Sequence, residues 1–265
     1  MKPGDQSLGN SQREFTRPYG RFMDRAAVGC DRKFSGAAQR ICHDGVMISV
    51  VIPTLNCERH LARCFDSLIP AAVGGMVREV IVADAGSSDG TLAIADAAGA
   101  HVVRTRKGRG AQLMDGAATA KSDWLLFLHP ETALEQGWDV EAESFIGQEV
   151  LERPRAAVFR FALEDFGGDA RRAEAKAALR TMLFALPYGD QGLLIPKRLY
   201  HKIGGYRALR DMEDADLVRR IGRRRLIRLR ARAINASRPH KSAWRGLALT
   251  LAHALRIPSR LLVNL

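Results

Sequence analysis

The sequence predicts an α/β fold in which a mainly parallel central sheet alternates with helices. Three stretches carry that prediction. MISVVIPTLN, from Met47, is a β-branched apolar run closed by Pro and Asn, the pattern of a buried parallel strand entering a loop. REVIVADAGSSDGT repeats the pattern, with an apolar strand Glu79–Ala83 running into Gly, Ser and Asp. Between them, Leu61, Cys64, Phe65 and Leu68 recur at helical spacing over Glu58–Ile69, so the three pieces form a βαβ unit.

The alternation continues with a helix over Thr91–Ala98, a short strand HVVRT, a helix over Gly110–Ala120 and the apolar strand DWLLFLHP. Beyond residue 150 the pattern loosens. RAAVFRFAL reads as a strand, Ala170–Leu186 as a helix, PYGDQG as a loop, QGLLIP as a strand, and a helix begins near Met212. Residues 1–46 are rich in Gly, Ser, Arg, Gln and Asp without a sustained apolar period, and are expected to be a disordered tail dispensable to the fold. The folded domain is expected over 47–240. Residues 241–265 contain an apolar helix, Trp244–Leu255, flanked by Arg245, Arg256 and Arg260, which either packs on the domain or lies on a membrane surface.

The chain has 265 residues, 46% of them hydrophobic and 26% charged, which suits a globular protein with a real core. Its net charge of +12 suits phosphate, nucleic acid or anionic membrane. The excess is local. Lys197–Arg245 holds 16 basic and 4 acidic residues, whereas 47–196 holds 15 basic and 20 acidic, a distribution that disfavours a uniform nucleic-acid coat. The four cysteines show no CxxC pairing or zinc-finger spacing and read as reduced thiols. Without a spanning apolar run or a secretory h-region, a cytoplasmic protein is expected, with peripheral contact at the inner face of the membrane as the alternative to full solubility.

In open α/β sheets ligands sit at the carboxyl ends of the strands. Three strand ends are polar here: Thr54–Glu58, Asp84–Asp89 and His129–Thr132. The loop after Asp84 suits a nucleotide, because Gly permits close backbone approach and a carboxylate accepts from base or ribose; it equally suits an ordinary turn with Asp89 capping the next helix. There is no GxGxxG and no GxxxxGK[ST], which argues against dinucleotide and ATPase readings.

Taken together, VVIPTLNCERHLARCFDSL, REVIVADAGSSDGTLAIA and DWLLFLHPET resemble, in order and spacing, the nucleotide-binding half of family 2 glycosyltransferases with the GT-A, Rossmann-like fold. PYGDQGLLIPKRLYHKIGGYRALRDMEDADLVRRI resembles that family's acceptor-side half, and the KGR, GDQ and MED blocks resemble a bacterial branch known as radical-SAM/selenodomain-associated transferases. The resemblance implies a nucleotide-sugar donor bordered by Thr54, Leu55, Glu58 and Asp84. Leu55 stands where many members carry an aromatic residue, so stacking on uracil is not implied. Lys107 and Arg109 would offset the diphosphate charge.

The family's DxD metal motif is matched by His129, Pro130 and Glu131, which makes Glu131 the better ligand for a divalent cation and, through His129, favours Mn²⁺ over Mg²⁺. Glu213 and Asp214 match the acidic pair whose second carboxylate serves as general base on an acceptor hydroxyl, with inversion at the anomeric carbon. Their plain alternative is charge complementing a helix N-terminus. Asp190 and Gln191 are acceptor-site candidates, or a turn leading into QGLLIP. The rival readings are a noncatalytic module binding a nucleotide-sugar or phospholipid, and a nucleic-acid binder using 197–245. No nucleic-acid partner is expected.

Overall fold

The computed structural model describes residues 47–148, 153–164, 189–209 and 212–236, with residues 172 and 175. The expected tail, the helix over Ala170–Leu186 apart from residues 172 and 175, and the segment 241–265 lie outside the described residues. The elements run β1 (Ile48–Thr54), α1 (Glu58–Asp66), α2 (Ile69–Val73), β2 (Val77–Asp84), α3 (Thr91–Ala97), β3 (His101–Arg104), α4 (Arg109–Thr119), β4 (Trp124–Phe127), β5 (Thr132–Leu134), α5 (Trp138–Gly147), β6 (Ala156–Leu163), β7 (Leu193–Pro196), α6 (Lys197–Lys202), α7 (Glu213–Ile221) and β8 (Leu226–Asn235). One sheet of order β3-β2-β1-β4-β7-β6-β8-β5 joins all the strands.

The first half is parallel, as the βαβ reading requires: β1 pairs with β2 and β4, and β2 with β3. The second half is mixed. β7 enters antiparallel between β4 and β6, while β6 and β8 are parallel and β5 closes the edge antiparallel to β8. Both faces are covered. Leu61, Phe65, Leu68, Trp138 and Phe145 pack on one, and Leu113, Tyr200, Tyr206, Leu217 and Ile221 on the other, which buries β1 along its whole length. The basic run Arg219–Arg232 divides between structures. Arg220 pairs with Asp216 at 2.6 Å. Arg228, Arg230 and Arg232 form the outer face of β8, whose Leu229, Ala231 and Ala233 turn inward. That strand lies between β6 and β5, inside the sheet.

Candidate functional site

The carboxyl ends of β1 and β2 are tied together before any ligand is considered. Thr54, buried at the end of β1, donates from Oγ1 to Asp84 Oδ1 at 3.0 Å. The other oxygen of Asp84 accepts the backbone N–H groups of Gly86 and Ser87, both at 2.9 Å, and Ser87 Oγ also donates to this carboxylate. Burial pushes the Asp84 carboxyl up, but the hydrogen bonds from Ser87, Gly86 and Thr54 outweigh it and hold it below the ordinary range. Asp84 therefore shapes the Gly86–Gly90 loop, with φ of 93° at Gly86 permitting the turn.

The two loops also brace one another. Asn56 N–H donates to Ser87 Oγ at 2.9 Å, and Asn56 Oδ1 accepts from Ser88 N–H at 2.8 Å. Glu58 Oε2 accepts from Gly90 N–H at 3.0 Å while Glu58 N–H donates to Asp89 Oδ2 at 3.1 Å, and Asp89 Oδ1 in turn accepts from Thr91 N–H at 3.0 Å. Asp89 thus serves both loops, at the start of α1 and of α3. Leu55 stands exposed at the rim of this pair. Gln112, which sequence reasoning passed over, lies beneath it: its amide nitrogen donates to the carbonyls of Thr54 and Ala83, each at 2.8 Å. The signal was there, a polar side chain one turn after Arg109 on a helix whose other inward residues are apolar.

The second half of the site is assembled on Arg109. Its Nε donates to Glu213, its Nη1 to His129 Nε2, and its Nη2 lies 3.4 Å from Asp214 Oδ2. A guanidinium only donates, so His129 Nε2 is the acceptor of this contact. Glu213 is 1% exposed, and burial followed by the neighbouring Asp214 pushes its carboxyl up, partly countered by Arg109. Burial works against the charge of Arg109, yet Asp214 and Glu213 more than restore it. The approach depends on Gly110, where a Cβ would overlap the carbonyl oxygen of Arg207 in the segment leading to α7. Asp214 Oδ1 accepts from Tyr206 Oη at 2.9 Å.

His129, Arg109, Tyr206 and Asp214 line one small cavity floored by Phe127, Leu128, Leu193 and Val218. Residues brought from β4, α4, the segment after α6 and α7 therefore converge, as the resemblance expected of His129, Arg109 and Asp214. Glu131 is half-buried two residues beyond His129, and its charge, with that of Asp89 and Asp84, acts on Cys57 between the two loops. Lys107 is exposed in the loop before α4 and does not join Arg109 on the acidic pair. Asp190 and Gln191 form a 3₁₀ turn before β7. The Asp190 carbonyl accepts from Asn235 Nδ2 at 3.0 Å, and Gln191 is buried.

A sheet of this order, with polar loops on β1 and β2 and an acidic helix end facing β4, has the GT-A architecture. Residues 49–141, from β1 into α5, match the family model described as Glycosyl transferase family 2. Glucosyl-3-phosphoglycerate synthases of Mycobacterium tuberculosis and Mycolicibacterium paratuberculosis are each 39% identical to it over 93 residues, which is 32% of this chain and 28% of the relative. The matched stretch thus spans less than a third of those proteins. A crystal structure of the M. tuberculosis synthase with Mn²⁺, UDP-glucose and phosphoglyceric acid superposes with a TM-score of 0.57 at 24% identity, covering 81% of each chain. Its complex with Mg²⁺ and UDP gives 0.57 at 22% identity over 80% of this chain and 79% of that one. These likenesses establish the fold.

Proposed function

We propose that the chain is an inverting glycosyltransferase that moves a sugar from a nucleotide-sugar donor to an acceptor hydroxyl with the aid of a divalent cation. The observation that carries the reading is Asp214, a carboxylate held between Arg109 and Tyr206 and sharing a cavity with His129. The braced loops after β1 and β2 would receive the nucleoside. Arg109, beside His129, is placed to offset the diphosphate once the donor competes for it. In the transfer, the acceptor hydroxyl gives its proton to Asp214 as its oxygen bonds to the anomeric carbon. The bond from that carbon to the diphosphate breaks on the opposite face and the diphosphate keeps the electron pair.

The donor set fits a cation supplied with its substrate. Among the described residues no group of three or more His, Cys, Asp or Glu gathers as a ready-made metal cage. Glu131 offers a hard oxygen and His129 a nitrogen, and two protein ligands completed by substrate phosphates are what such cations commonly use. Glu131 and His129 would hold it, and when bound it supplies charge stabilisation to the departing diphosphate. The M. tuberculosis synthase binds UDP-glucose and phosphoglyceric acid in its crystal structure, so these are the first donor and acceptor to try. A cytoplasmic setting and membrane contact through 241–265 stand as proposals supported by composition and charge. Among the described residues no helix is long and apolar enough to cross a membrane.

The test is release of nucleoside diphosphate from a panel of nucleotide sugars with Mn²⁺, in the parent and in Asp214→Asn. Turnover of one donor, lost in the variant, is expected. Donor binding without turnover under any acceptor would favour the noncatalytic module.

A further inference from the structure

Tyr206 lies in the segment between α6 and α7, inside the stretch that resembles the acceptor-side half but not among the site residues named from it. Its ring is buried, edge-on to Phe127 with centroids 4.9 Å apart and planes at 85°, and it also meets Tyr200 at 6.2 Å. Its backbone N–H donates to Tyr200 Oη at 3.0 Å. Gly205 makes that closure possible: its φ is 57°, and a Cβ there would come within 2.8 Å of the Tyr200 ring. A phenylalanine would fill the same apolar slot equally well. The hydroxyl therefore answers to something else, and its partner is Asp214 Oδ1.

The charges facing Asp214 differ in what they do for it. Glu213, its neighbour on α7, repels it. Arg109, from α4, reaches Oδ2 only at 3.4 Å and is shared with Glu213 and with His129 after β4. The Tyr206 hydroxyl is committed to Asp214 by a directional hydrogen bond at 2.9 Å, on a ring packed against Phe127 and Tyr200.

We propose that Tyr206 is a positioning residue for the general base, fixing Oδ1 of Asp214 so that Oδ2, loosely held by Arg109, is aimed at the acceptor hydroxyl. The proposal rests on Asp214 being the base. Tyr206→Phe is the variant that tests it, because the ring and its packing survive. In protein carrying ¹³C-carboxyl aspartate, the Asp214 resonance is the one missing from Asp214→Asn. Tyr206→Phe is expected to move that resonance at fixed neutral pH and to lower kcat about tenfold with donor KM little changed. An unmoved resonance or an unchanged kcat overturns the proposal, whatever happens to thermal stability. A second measurement needs no Phe variant: the parent should show a downfield Tyr206 hydroxyl proton that moves upfield in Asp214→Asn, and its absence also overturns the proposal. The two readings fail separately. Full turnover in Asp214→Asn removes the base, whereas lost turnover there with an unmoved resonance and full kcat in Tyr206→Phe removes only the role of Tyr206.

Discussion

Replacing Arg109 with Met removes the guanidinium while keeping an unbranched side chain, and it leaves Glu213 and Asp214 as adjacent carboxylates without their counter-ion. Glu213 is 1% exposed, so it cannot turn to water for compensation. Breaking a buried pair by removing one partner costs about 3–5 kcal/mol; Arg109 is itself 33% exposed, which reduces the expected loss to roughly 2–4 kcal/mol. For a domain of this size that is a fall in melting midpoint of about 5–15 °C near neutral pH. The pH dependence has a definite sign. Burial and Asp214 raise the Glu213 carboxyl above 4.5, so the folded state binds that proton more tightly than the unfolded chain. Its stabilisation is complete below about pH 4.5 and is lost as pH rises through the folded value. Arg109→Met raises that value further. The variant's deficit should therefore be largest at neutral pH and shrink on acidification, measured by calorimetric melts of both proteins at several pH values. Equal midpoints at neutral pH, or a gap that widens toward acid, would refute the reasoning.

Other outcomes follow from the same geometry. Asp214→Asn should lower turnover by roughly a hundredfold or more with donor affinity little changed, read from steady-state kinetics. Gly110→Ala should cost about 1–3 kcal/mol in denaturant melts, because the added methyl meets the Arg207 backbone carbonyl, and it should impair donor turnover by displacing Arg109. Asp84 is held below its ordinary value of 3.8, so its contribution is present above about pH 4 and lost as pH falls through the folded value. Hydrogen exchange at Gly86 and Ser87 should accelerate over that acidic range. A chain begun at Met47, one residue before β1, should melt close to the full chain.

The parallel half of the sheet was legible because each of its strands is an apolar run ending in polar turn residues, and the helices between them keep a clear 3.6 period. The antiparallel entry of β7 was not, since Leu193–Pro196 is buried throughout and such a run carries no mark of direction. β8 was obscured by its own charge. From Arg228 to Asn235 buried residues alternate with outward ones, but the arginines drew attention to a basic patch instead of a period of two. β5 has only three residues, and the acidic residues of α5 masked its buried Trp138 and Phe145.

At the site, Arg109, His129 and Asp214 lie together, yet no spacing revealed that the Arg109 guanidinium would meet His129, Glu213 and Asp214. Gln112 and Tyr206 were missed for a related reason. Each acts through the direction of one polar group, which only tertiary packing fixes.

The central claim, a nucleotide-sugar site completed by a cation at Glu131 and His129, is tested most directly by calorimetric titration of UDP into the parent and into Glu131→Ala, with Mn²⁺ and with chelator. The account predicts saturable binding to the parent with Mn²⁺, weakened about tenfold or more by chelator and by Glu131→Ala. Equal affinity with chelator and with Mn²⁺ would contradict the cation. Failure of UDP and of every other nucleoside diphosphate to bind would contradict the site itself.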